Sequence, residues 1–65
     1  MAILLKKGNL KDGLIKLIEE ENTIKEFNEV VKNYYVTLET KDYIKYLASF
    51  VNDKEEAENY FYEVL

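Results

Sequence analysis

The chain has no cysteine, no histidine, no arginine and no proline, and each absence narrows what its 65 residues can do. Without Cys there is no disulfide, and without Cys or His the usual ligand sets for zinc are gone. The same two absences remove the Ser–His–Asp and Cys–His mechanisms, because no side chain of ordinary type stands ready to take a nucleophile's proton. Every cation is Lys, so the two-pronged recognition of phosphate or guanine that Arg provides is missing. With no Pro and no low-complexity stretch, nothing divides the chain, which reads as one domain over residues 1–65. The apolar run after Met1 is too short for a secretory signal, and no segment approaches the ~20 apolar residues of a membrane span. A cytoplasmic protein without membrane association is the expectation.

A domain of this size sits near the lower limit at which a chain can bury its own core. With disulfides and zinc removed, tight packing or association with another subunit must supply the stability. Charge is uneven. Residues 1–18 carry four lysines against Asp12, and residues 19–65 carry five lysines against twelve carboxylates, giving −4 in all. An acidic body releases few counterions from phosphates, so nucleic-acid binding is not expected, and a basic protein surface is the better complement. A weaker alternative is nucleic-acid contact through Lys6, Lys7, Lys11 and Lys16.

What is present reads as helix. Leu10, Leu14, Leu17 and Ile18 fall on one side of a 3.6-residue period. Gly13 either permits a close backbone approach or marks a later start. "TIKE" has the form of a capping box through Thr23 and Glu26. After it, Ile24, Phe27, Val31, Tyr34 and Leu38 step by threes and fours. The apolar set restarts out of phase at Tyr43, Ile44, Leu47, Phe50 and Val51, with Thr40 as the cap between. Asp53 with Glu56 makes a further capping box, and Asn52 is a stop for the helix before it. The expected fold is therefore all-α, a small bundle of about four short helices near residues 10–21, 24–36, 41–51 and 54–64. The alternative is an α+β fold with a short strand near residues 34–39, because "YYVTLE" alternates and favours β structure. Phe27 and Leu47 centre their stripes and are the expected core.

Chemistry is set aside on residue type. Ser49 is the only serine, and a Ser–Lys arrangement with Lys45 is its sole partner of note. "EEE" at 19–21 and "EEAE" at 55–58 read as solvated helix faces. No Gly-rich phosphate loop or calcium loop occurs. No enzyme activity, cofactor, metal or catalytic residue is expected.

The positive signal is aromatic. On a helical wheel Tyr62 falls between Glu55 and Glu58, opposite Phe61 and Val64, where an aromatic has no obvious intramolecular role. Tyr is favoured at interfaces because its ring offers area at low rotamer cost. The leading expectation is a small acidic protein-binding module, a regulator or inhibitor that occupies a basic surface of a partner protein. Tyr62, Glu55, Glu56 and Glu58 are its expected contact face, with Tyr46 in addition. The Lys-only, Asn- and Ile-rich composition fits a phage or mobile-element gene. A structural homo-oligomer, such as a homodimer, whose interface is the broad apolar face of the third helix is the second expectation.

Overall fold

The computed structural model describes residues 1–65 and is mostly antiparallel sheet. Four strands follow in chain order, β1 (Ala2–Leu10), β2 (Gly13–Ile24), β3 (Glu29–Glu39) and β4 (Ile44–Val51), each paired with the next. A short 3-10 turn at Lys25–Phe27 joins β2 to β3. One helix, α1 (Lys54–Val64), ends the chain and lies across one face of the sheet.

The all-α bundle is thereby corrected. The helices expected at 10–21, 24–36 and 41–51 are strands, and only that at 54–64 is a helix. The strand alternative at 34–39 has the right type, but it is part of an eleven-residue strand. The physical reason lies in the two faces of the sheet. Ile15 and Leu17 of β2 point under the helix and are fully buried, while Leu14 and Ile18 are half-buried on the other face. A strand apolar on both sides loses the period-2 alternation, and its apolar positions then match a helical stripe equally well. The same holds in β3, where Tyr34 and Val36 are buried under α1 and Tyr35 and Thr37 lie opposite.

Turn chemistry agrees with the strands. β1 and β2 are joined by Lys11 and Asp12 alone, with Leu10 opposite Gly13. A side chain at Gly13 would meet the Glu39 carbonyl oxygen, so this glycine permits a close backbone approach. Asn28 adopts φ 50 and closes the four-residue connection to β3, its amide donating to the Lys25 carbonyl at 3.3 Å. Asn accepts the left-handed region more readily than most residues. Thr23 and Glu26 make no capping box; Thr23 is in β2, paired with Val30. Thr40 does cap, but a turn: its hydroxyl accepts from the amides of Asp42 and Tyr43. Hydroxyl capping of a turn and of a helix is the same local chemistry.

α1 forms as its sequence dictates. The Asp53 carboxylate accepts from the Glu56 amide at 3.1 Å, and Asn52 at φ 53 turns the chain out of β4. Asn52 also ends the ladder, donating its amide to the Lys32 carbonyl at 2.7 Å and accepting from the Lys32 amide on Oδ1 at 2.9 Å. Ala57 and Phe61 then bury against Ile15, Leu17, Tyr34 and Val36, the whole hydrophobic core. Leu47 packs at its margin, brought to the helix side by a β4 irregularity opposite Val36 and Thr37. Phe27 is not core: it sits at the β2–β3 tip, 72% exposed. Phe61→Ala should therefore destabilise by about 3–5 kcal/mol, whereas Phe27→Ala should stay within about 0.5 kcal/mol. Chemical denaturation of both variants checks this; comparable losses would place the tip in the core.

Candidate functional site

The helix carries the charge. Residues 1–52 hold eight lysines and eight carboxylates and are neutral, while residues 53–65 hold Lys54 against five carboxylates, the entire −4 of the chain. Because Ala57 and Phe61 face the sheet, the wheel at 100° per residue turns Glu55, Asn59, Tyr62 and Glu63 toward solvent. Glu58 flanks the β1 side, where it meets the Lys6 ammonium at 3.6 Å. Tyr62 lies beside the same lysine, with Lys6 Nζ 5.3 Å from its ring centroid, and its edge-on neighbour is Phe61. So Tyr62 is exposed at 57%, yet it does have an intramolecular role, covering Lys6. The Tyr62 hydroxyl first, and the Glu58 carboxylate after it, hold the Lys6 ammonium above its ordinary range.

The expected contact residues fall in three places. Glu55, Glu58 and Tyr62, spaced three and four apart, share one side of α1. Glu56 is about 100° around from Glu55 and belongs to the β4 flank. Tyr46 is elsewhere: it pairs with Thr37 on the face of the sheet away from the helix, edge-on to Tyr35 at 5.5 Å between centroids. The third-helix face expected to join two subunits does not exist, because its residues form β4.

That open face was not anticipated. The register places Leu4, Ile18, Tyr35 and Tyr46 on it, with Lys7, Lys16, Glu20 and Glu39 among them. Lys16 is salt-bridged to Glu39. The four N-terminal lysines make no single patch: Lys6 is on the helix side, Lys7 and Lys16 are on the open side, and Lys11 is in a turn. Ser49 and Lys45 project to opposite faces, since their partners are Tyr35 and Leu38. No three acidic residues converge as a metal site would need. A shallow pocket of about 300 Å³ lies between the Lys11–Asp12 turn, Leu38 and Tyr43, without a paired nucleophile and base. No helix is long and apolar enough to cross a membrane. No protein-family model, curated protein or solved structure matches the chain.

One buried titratable group marks the sheet beneath α1. Tyr34 is 4% exposed and stands opposite Glu19, whose carboxylate lies 3.9 Å from Lys32 Nζ. Loss of water, and then the Glu19 charge, push its phenol above the ordinary tyrosine range. The folded state thus keeps a proton that the unfolded chain releases near pH ~10. Its stabilising contribution is complete below that pH and is lost as pH rises through the folded value. Alkaline titration by phenolate absorbance should show a late component that Tyr34→Phe lacks, with a shallower alkaline loss of stability in the variant. Superimposable titrations of the two proteins would disprove this account of Tyr34.

Proposed function

We propose that the chain is a protein-binding module, a regulator or inhibitor that occupies a basic surface of a partner with the outer side of α1. The observation that carries this reading is the confinement of the chain's full −4 to the helical segment. A neutral platform bearing one acidic helix is an electrostatic dipole, and such a field orients an encounter with a positive patch before contact. Lys6 neutralises Glu58 at the edge of this surface, leaving Glu55, Glu56 and Glu63 as carboxylates without an ion-pair partner among the salt bridges formed. Tyr62 supplies the ring that an acidic patch otherwise lacks, amphipathic and already braced against Lys6 and Phe61. Bracing lowers the entropy lost on docking.

The test uses the purified chain as bait alongside a Glu55→Gln/Glu56→Gln/Glu63→Gln variant and Tyr62→Ala. Proteins retained by the wild type and eluted by salt should be lost from the charge-neutralised variant. For such a protein, Tyr62→Ala should weaken binding by about 2 kcal/mol or more, with fold stability lowered by only about 0.5–1 kcal/mol, the scale of the lost contact with Lys6. Charge neutralisation should chiefly slow association and flatten its salt dependence. An unchanged set of retained proteins would remove α1 as the contact surface.

A further inference from the structure

The sheet has two faces and the helix covers one. Antiparallel sheets of this kind ordinarily turn polar residues to the uncovered side. Here the uncovered side carries Leu4, Ile18 and Tyr35 in register across β1, β2 and β3, with Ser49 completing the row and Tyr46 of β4 diagonal to Tyr35 and edge-on to it; Leu4 is 51% and Tyr46 66% exposed. We infer that this face is the interface of a two-fold homodimer, in which two sheets pack back to back with the α1 helices outermost.

Charge identifies the second copy as the occupant. Over the four-stranded body the open face bears Lys7 and Lys16 against Glu20 and Glu39 and so sums to zero, with Glu29 out on the ribbon opposite Ile24, although the chain is −4 overall. It is the side on which two such acidic molecules can meet without like charges opposed. The order of those charges along the strands also suits two-fold symmetry. Lys7 and Lys16 pair with each other on one side of the Leu4–Ile18 pair, and Glu20 pairs with Ala2 on the other. A two-fold axis lying across the strands at Leu4, Ile18 and Tyr35 sets each apolar strip upon its copy. The same rotation brings Lys16 of one copy over Glu20 of the other, and sets Lys7 over Ala2 beside it. Glu20, which takes part in no ion pair within one chain, thereby gains Lys16 of the copy opposite it and Lys7 as a diagonal neighbour, twice over by symmetry.

The area is sufficient. Four strands about 4.8 Å apart and about eight residues long, at roughly 3.3 Å each, present some ~500 Å² in projection. Side-chain relief raises this toward the ~800 Å² per partner of a standard interface. Two faces twisted as usual pack aligned at about −30° with their sheets ~10 Å apart. The arrangement also separates the two acidic helices by the thickness of both sheets, so each keeps its outer surface free. This inference stands whether or not α1 binds a partner.

Sedimentation equilibrium of the full chain from 1 to 200 µM, at low and moderate salt, tests it. The expected mass at the upper end is twice 7.7 kDa. Leu4→Lys should raise the dimer dissociation constant at least tenfold while the far-UV spectrum and melting remain those of a folded chain. Should Leu4→Lys unfold the protein, Tyr46→Lys at the exposed edge strand carries the same expectation. Glu20→Lys should weaken the dimer most at low salt. The Glu55→Gln/Glu56→Gln/Glu63→Gln variant should dimerise like the wild type, so a failed partner search on α1 stays separate from a failed dimer. A wild-type mass of 7.7 kDa across the whole range would overturn the proposal. So would a dimer indifferent to both lysine substitutions, or one weakened as much by changes on the helix.

Discussion

The seating of α1 on the sheet is the contact on which the rest of the structure depends. Four strands in a meander satisfy their backbone groups but leave two apolar faces, and a single-layer sheet has no interior. Phe61 and Ala57 create one by closing over Ile15, Leu17, Tyr34 and Val36. The corner at Asn52 and Asp53 makes this closure possible. A left-handed Asn that completes the ladder with its side chain, followed at once by a helix cap, reverses the chain within two residues. Without that corner the helix would leave the sheet edge and the core would not exist.

A core this small explains the chain's charge arrangement. A two-layer domain of about this length has little apolar area in reserve, so crowding like charges inside the sheet would be costly. Its strands instead balance lysines and carboxylates, with Lys16 to Glu39 and Lys32 to Glu19 as close pairs, while Lys6 of β1 reaches Glu58 on α1. The excess negative charge is collected on the helix, whose outer side is solvated. The same shortage of layers leaves the second sheet face uncovered. Charge distribution and fold are thus linked through one constraint: a single helix can cover one face only.

The β2–β3 hairpin extends this pattern. Beyond Glu20 and Lys32 it has neither β1 nor β4 beside it, and every residue from Glu21 to Val30 is exposed. It accounts for the elongated shape, 43 by 23 by 15 Å. A two-stranded ribbon of this kind is marginal by itself, and it is held by continuity with the four-stranded body. Phe27 at its tip contributes no packing to the core.

By itself the sequence determined the features whose physics is local. Absent residue types excluded disulfides, histidine chemistry and arginine-type recognition, since no fold can supply a side chain that the chain lacks. The final helix was legible with its Asp53 cap and its buried Ala57 and Phe61, because one strongly amphipathic element beside a capping box has a single reading. The side of α1 holding Glu55, Glu58 and Tyr62 followed from the same wheel. The strands were not legible, for a definite reason. Leu14, Ile15, Leu17 and Ile18 are apolar on both sides of a strand, and such a run fits a helix of period 3.6 as well as a sheet covered on one face and aromatic on the other. Pairing between strands decided between them, since each strand gains its hydrogen-bond partners from a neighbouring strand and none from its own residues. It also decided what no periodicity could show: that Tyr46 lies across the molecule from Tyr62, that Lys6 sits under Tyr62, and that one sheet face of mixed apolar and charged residues remains open.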